Sequence, residues 1–213
     1  MPCFSDRKCL IFSCIAPSAA LIAFLVAGPV LSSQADAPAV ERLGAEQQAF
    51  WRKLERFCGQ AFAGRVSDVT AYYREALTDR QLLAHGVYCS AERIHIALHV
   101  DDNRSRNWIL TVADDNIRLK HDHRYPDGQE EAISQYGGDA LVPGLAERQI
   151  FPADAHTAAL LPERADNFWF MHFVDDSSFH YGVHWPKHGH SVRLAFDLSE
   201  PVSLPPLPWG YED

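Results

Sequence analysis

Apolar and polar residues alternate repeatedly along this sequence, and that period of two constrains the fold more than any other feature. The alternation covers residues 94–100, 108–112, 117–123, 179–185 and 192–198. Alternation over such lengths is typical of β-strands with one buried face and one wetter face. Short polar turns such as Asp114-Asp115 join these runs, whereas parallel strands need long crossover connections. The pattern therefore predicts an antiparallel meander.

A helix is predicted in front of these strands. From Ala45 to Ala61 the apolar residues recur at helical spacing, and charged residues occupy the other side. We expect this amphipathic helix to pack on a mainly β domain, a barrel or strongly curled sheet of about eight strands. The alternative is an open α+β sheet whose concave face the helix covers. The aromatic residues expected inside are Trp108, Trp169, Trp185, Phe168, Phe170, Phe179 and Phe196.

The first 35 residues have the layout of a secretory signal peptide. A short basic start precedes an apolar run, and the small residues Ser33 and Ala35 suit cleavage after Ala35. An uncleaved membrane anchor is the alternative, because the apolar run is long enough to span a bilayer. The chain beyond this leader divides into a linker at 36–44, a single domain at 45–200 and a proline-rich extended tail at 201–213.

Two of the five cysteines, Cys58 and Cys89, lie beyond the predicted leader. In an oxidising compartment an even pair predicts one disulfide, which here would join the helix to a strand. A redox-active pair is the alternative, but such pairs are usually closely spaced. A leader and a disulfide together predict an exported protein, periplasmic or extracellular, with no membrane contact beyond the signal segment.

The charge of the chain excludes one class of partner. The formal net charge is −9 at pH 7, so the surface is expected to repel phosphate backbones. Nucleic acid is therefore not expected as a partner, and a small-molecule ligand is.

Strand register distinguishes two of the eleven histidines. If Asp114-Asp115 is a two-residue hairpin turn, His121 and His123 continue an inward-facing apolar row toward the end of their strand. The expected cross-strand pairs are Val112 with Ile117, Leu110 with Leu119 and Trp108 with His121. By the same alternation, His95 and His99 lie opposite the apolar residues of their own run and are expected on a solvated face.

Imidazoles two residues apart on one strand can converge on a single metal ion. Three carboxylates follow at once, Asp127, Glu130 and Glu131, and could supply a further ligand or a general base. They belong to a segment from Arg124 to Phe151 that has no sustained period, after which a short helix is predicted at about 153–161. The alternative is that the two imidazoles form a polar rim where the inner face of the sheet meets water.

Several short segments resemble a set of bacterial exported proteins of unassigned function. They are the stretch 119–128, which contains His-Asp-His-Arg, the Tyr-Gly-Gly-Asp segment at 136–139, and the proline-rich Trp-Gly ending at 205–210. The likeness covers most of the chain from about Phe50 to Gly210. It implies export and no particular activity.

These observations lead to three functional hypotheses. The first is an exported domain that binds a small ligand in a barrel or sheet cavity beside His121 and His123, partly roofed by the segment from Arg124 to Phe151. The second is a metal-dependent enzyme that uses those two histidines with a divalent transition metal. The third is a structural or interaction domain of the cell envelope.

Overall fold

The structure is a computed structural model that describes residues 38–212; the predicted signal peptide lies outside the described residues. Within this range ten strands form one antiparallel sheet. The strands are β1 Ala61–Val69, β2 Leu82–Cys89, β3 Arg93–Val100, β4 Asn103–Ala113, β5 Asn116–His123, β6 Tyr136–Asp139, β7 Arg148–Pro152, β8 Phe168–Phe173, β9 Ser178–Trp185 and β10 His190–Asp197. The α-helices are α1 Ala39–Arg42, α2 Ala45–Leu54, α3 Ala71–Leu77 and α4 Ala155–Leu160.

The sheet curls until its two edges almost meet. Neighbouring strands follow the order β6-β5-β4-β3-β2-β1-β10-β9-β8-β7. At the seam the Leu141 amide donates to the Ile150 carbonyl at 2.9 Å, and the Asp154 amide donates to the Gly137 carbonyl at 2.9 Å. The predicted antiparallel, mainly β fold is thus confirmed as a sheet nearly closed into a barrel.

The segment from Arg124 to Phe151 was expected to lack regular structure, and this is wrong. It contains β6 and most of β7, which form the seam. A Cβ at Gly138 would overlap the carbonyl oxygen of Pro152, so a residue without a side chain is needed where β6 approaches β7. Glycine at that position hides the alternation by which a strand is recognised in sequence.

The predicted register of the β4–β5 hairpin is confirmed. Trp108 pairs with His121, Leu110 with Leu119 and Val112 with Ile117. Asp114 and Asp115 have φ of 52° and 57°, the left-handed conformation that a two-residue hairpin turn of this kind requires. Of the six residues in these three pairs, only Val112 is half-buried and the others are fully buried. Arg118 and Lys120 point to the other face.

The helix predicted from Ala45 to Ala61 ends earlier than expected. Helix α2 stops at Leu54, a 3-10 turn follows at Glu55–Phe57, and β1 already begins at Ala61. The reason is the sheet, because the Gly59 amide donates to the carbonyl of Gly86 in β2 at 2.9 Å. Backbone bonding to the sheet therefore replaces the last helical turns.

Helix α2 and the 3-10 turn close one end of the barrel. The Phe50 ring lies 5.5 Å from the Phe173 ring, and the Phe57 ring lies 5.0 Å from the Phe179 ring, both edge to face. The predicted disulfide is present at this end, joining Cys58 to Cys89 with a Cα–Cα distance of 5.8 Å. The core is therefore densely aromatic where the helix meets the sheet.

Two of the aromatic residues expected inside the barrel face outward. Trp169 and its alternate neighbours in β8 point inward, so Phe168 and Phe170 lie on the outer face and are only half-buried. There Phe168 stacks on His184 at 4.9 Å. A run of three consecutive aromatic residues does not reveal which face is buried, and strand pairing decides it.

The tail beyond residue 200 runs extended over the outside of the sheet. The Val202 amide donates to the Ala61 carbonyl on β1 at 2.8 Å. Farther along, the Trp209 amide donates to the Arg104 carbonyl on β4 at 3.3 Å. The tail therefore crosses the outer faces of β2 and β3, which lie between those strands.

This covering overturns the expectation of a solvated face for His95 and His99. Each is only 2% exposed, and the ring of Tyr211 in the tail lies 4.5 Å from the ring of His95. Tyr211 lies more than a hundred positions from His95 in sequence, so local alternation could not indicate this contact.

None of the helices described between residues 38 and 212 is both long enough and apolar enough to cross a lipid bilayer.

Candidate functional site

A cavity of about 370 Å³ opens inside the barrel, toward the end that helix α2 does not fill. Its volume lies within the range of small-molecule sites, which is about 300–1,000 Å³. Six aromatic or imidazole side chains of the lining form one cluster of ring contacts: Trp108, His121, His123, Tyr136, Trp169 and Tyr181. The cavity therefore lies beside the two histidines that the register distinguished.

The strand register brings these rings together. His121 lies opposite Trp108 on one side and opposite Tyr136 on the other. The His121 and Tyr136 rings stack at 4.4 Å, and the Trp108 and Tyr181 rings stack at 4.2 Å. Strands from both sides of the barrel thus contribute to one aromatic surface.

Both ring nitrogens of His121 have partners. Nδ1 lies 3.1 Å from the backbone oxygen of Tyr136, and Nε2 lies 2.7 Å from the hydroxyl oxygen of Tyr181. Because a carbonyl oxygen only accepts, Nδ1 carries the proton and Nε2 accepts from the Tyr181 hydroxyl. Burial, with smaller contributions from His123 and nearby cations, lowers the pKa of His121 to about 3. The imidazole is therefore neutral at pH 7.

His123 forms a second histidine–tyrosine pair. Its Nε2 lies 3.0 Å from the hydroxyl oxygen of Tyr136. Burial, reinforced by the charge of Arg106, lowers the pKa of His123 to about 4. Burial raises the pKa of Tyr136 to about 12. Both pairs are uncharged at neutral pH, so this part of the cavity is a polarisable surface without formal charge.

The three carboxylates considered as metal ligands lie elsewhere. Asp127 accepts from the Gln129 amide at 3.0 Å, and Glu130 accepts from the side chain of Gln135 at 2.8 Å. Neither they nor Glu131 are among the cavity-lining residues in the described part of the chain. Over residues 38–212 no three His, Cys, Asp or Glu side chains are grouped so that they could hold a metal ion. The structure thus brings the two imidazoles to the cavity without a third ligand.

The cap of the cavity was not recognised from sequence. Helix α3, which connects β1 to β2, contributes Tyr73 and Leu77 to the lining. The Tyr73 ring stacks on the Trp185 ring at 4.7 Å. This helix has only seven residues, too few for an amphipathic pattern to stand out.

Two arginines also line the cavity. Arg106 lies in β4 two residues before Trp108, so it shares the inward face, and the alternation already contained that signal. Arg164 comes from the connection between α4 and β8. Of the lining residues described within 38–212, none is Asp or Glu. The lining therefore carries positive charge although the chain as a whole is acidic.

Two residues of the cavity lining have buried polar atoms without hydrogen-bond partners in the described structure. Asn167 is 1% exposed and lines the cavity, and in the described structure neither atom of its carboxamide has a hydrogen-bond partner. The same holds there for the indole nitrogen of Trp185. Buried polar groups are nearly always hydrogen-bonded, so each of these atoms calls for an explanation.

A separate buried carboxylate, Asp122, holds the tail and the β5–β6 connection to the barrel. It accepts from Arg124 and from the Tyr211 hydroxyl, both at 2.9 Å, and from Ser134 at 3.2 Å. Burial alone would raise the pKa of Asp122, but the hydrogen bonds from Arg124 and Tyr211 and the Arg124 charge lower it. Asp122 faces away from the cavity, so its role is structural.

Comparison of the chain with protein-family models, with curated proteins and with solved structures finds no match in any of the three.

Proposed function

We propose that this protein is an exported binding protein that holds one small, largely apolar molecule in the open end of its barrel. The observation that carries the proposal is the cavity of about 370 Å³, lined mainly by aromatic and aliphatic side chains. A preformed concave site with an apolar lining and a few polar groups is the usual form of a small-molecule site.

The rigidity of the walls supports binding rather than a transient opening. The cavity is lined by residues of seven paired strands, β3, β4, β5, β6, β8, β9 and β10. The opposite end is filled by the aromatic contacts of α2 and tied by the disulfide. A site that is already formed spends little binding free energy on ordering the protein.

The chemistry of His121 favours binding over catalysis. Both nitrogens of His121 are occupied by Tyr136 and Tyr181, so this imidazole has no free lone pair to accept a substrate proton. The same contacts leave no position at which His121 could ligate a metal without first losing a hydrogen bond.

Export rests on the predicted leader and on the disulfide. Disulfides persist in oxidising compartments and are rare in the cytosol. The Cys58–Cys89 bridge is compatible with a periplasmic or extracellular location.

The binding proposal is tested with N-phenyl-1-naphthylamine, a neutral dye whose fluorescence rises in apolar surroundings. Titration of purified protein should give saturable binding at one site, with a Kd on the order of 10 μM or tighter. Val183→Trp replaces a small aliphatic side chain of the cavity lining with a large ring and should weaken binding at least about tenfold. Val174→Trp, at an exposed position, is the matched control and should bind like the parent.

Two outcomes would refute the proposal. Equal binding by the parent and both variants would place the dye outside the cavity. An absence of saturable binding in the parent would favour the structural or interaction domain instead.

A further inference from the structure

We propose that the ligand is an amphipathic anion, with a ring-bearing apolar body and one oxyanion head such as a carboxylate or sulfonate. The head group is held by Arg164, Asn167 and the indole N–H of Trp185, and Arg106 adds positive charge from another wall. This inference rests on the proposed binding function and specifies its ligand.

The first argument is that these head-group residues lie close together. Arg164 and Asn167 belong to one connection, in which the backbone N–H of Asn167 donates to the backbone carbonyl of Arg164 at 3.0 Å. Strand β8 begins at the next residue, where Phe168 pairs with His184 in β9. If this antiparallel register is continued by one residue, Asn167 comes opposite Trp185. All three residues line the same cavity.

The second argument is the unsatisfied polar atoms. The Asn167 carboxamide and the Trp185 indole nitrogen are buried without partners in the part of the chain that the structure describes. An unpaired buried donor or acceptor costs about 1–3 kcal/mol. A ligand that bonds to these atoms would recover that free energy. The N–H groups available here outnumber the acceptors, which suits a head group composed of oxygen acceptors.

The third argument is charge. Arg106 and Arg164 line the cavity, and the described lining includes no carboxylate. The partners of the two guanidinium groups are weak: Arg164 lies 3.7 Å from the exposed Glu163, and Arg106 donates to Asn103 at 3.1 Å. Guanidinium groups bind carboxylates and related oxyanions through paired, charge-assisted hydrogen bonds. A protein with a net charge of −9 thus presents a locally cationic cavity.

The fourth argument assigns the apolar body to the cluster of ring contacts that includes His121, Tyr136 and Tyr181. His121 and Tyr181 bond to each other, as do His123 and Tyr136. These contacts, with the backbone oxygen of Tyr136, occupy both nitrogens of His121 and the Nε2 of His123, and the four groups are neutral. They therefore offer mainly stacking area. The head group therefore belongs with the arginines and Asn167, and the body belongs against the stacked rings.

The test compares two dyes that differ by one charged group. N-Phenyl-1-naphthylamine is neutral, and 8-anilinonaphthalene-1-sulfonate carries the same rings with one added sulfonate. Purified protein should bind the sulfonate at least about tenfold more tightly, which corresponds to one charge-assisted pair. Arg164→Gln and Asn167→Leu should each reduce that preference about five- to tenfold and leave the Kd of the neutral dye unchanged.

The control variant is Arg52→Gln, which removes an exposed guanidinium from α2 at the other end of the barrel. It should leave the Kd of both dyes at the parent values. Equal affinity of the parent for both dyes, or an equal change for both dyes in Arg164→Gln, would overturn the oxyanion inference while the binding function stands. If neither dye binds, the binding function and the inference both fail.

Discussion

Acid should destabilise this protein through histidines that the fold buries in their neutral form. Burial is the main cause that lowers the pKa of His95 and His99 from the ordinary 6.5 to about 4, and that of His121 to about 3. Below pH 6.5 the unfolded chain binds protons that the folded chain does not. The contribution of these neutral histidines to the free energy of unfolding is therefore fully present above about pH 6.5. It is lost as the pH falls toward about 4.

The magnitude follows from the two pKa values of His95. A group that titrates at about 4 when folded and about 6.5 when unfolded loses about 2 kcal/mol of stabilisation between pH 7.5 and pH 5. Three buried imidazoles of this kind together lose about 6 kcal/mol. That is comparable with the whole stability of an ordinary domain, about 5–15 kcal/mol. We therefore expect acid unfolding to begin at about pH 5.

Urea unfolding at pH 7.5 and pH 5, followed by tryptophan fluorescence with the disulfide intact, measures this loss. His95→Gln should reduce the difference between the two pH values by about 2 kcal/mol, which is about 1 M in the urea midpoint. His188→Gln, in an exposed turn, controls for the replacement of a histidine as such. If His95→Gln loses as much stability as the parent on acidification, or if the parent gains stability at pH 5, the reasoning is refuted.

Three further substitutions test the fold. The double variant Cys58→Ser/Cys89→Ser should lose about 3–4 kcal/mol in urea unfolding, because the bridge closes a loop with a sequence separation of 31. Tyr211→Phe removes a hydrogen bond to buried Asp122 and should cost about 1–2 kcal/mol, whereas Tyr88→Phe at an exposed position should cost nothing measurable. Gly138→Ala should cost about 2–3 kcal/mol by forcing the β6–β7 seam apart; Gly44→Ala, with open space around it, is its control, and equal stability of these two variants would contradict a closed seam.

The parts of the fold predicted from sequence are those with redundant local signals. In the β4–β5 hairpin, the apolar alternation and the turn at Asp114-Asp115 specify the same register, and a one-residue slip would have buried Lys120. The disulfide had one possible pairing once the leader was set aside. The position of His121 and His123 at the cavity follows directly from that register.

The parts that sequence did not predict depend on contacts between distant residues. The tail buries His95 through Tyr211, more than a hundred residues away, and no local pattern records such a contact. Asn167 and Arg164 reach the cavity from a connection without periodicity. Gly138 breaks the strand pattern because the seam leaves no room for a Cβ. In each case tertiary packing overrides the local preference.

Two costly features beside the cavity argue that it is maintained for binding rather than left by poor packing. At the helix end, Phe50 and Phe57 are fully buried and make edge-to-face ring contacts. Beside the cavity, the chain buries the Asn167 carboxamide without partners in the described structure, which reduces stability, and it keeps His121 neutral, which reduces stability in acid. A bound ligand at a hundred times its Kd would return about 2.7 kcal/mol. That gain would offset about one buried imidazole's loss at pH 5, so the ligand-bound protein should resist acid better than the free protein.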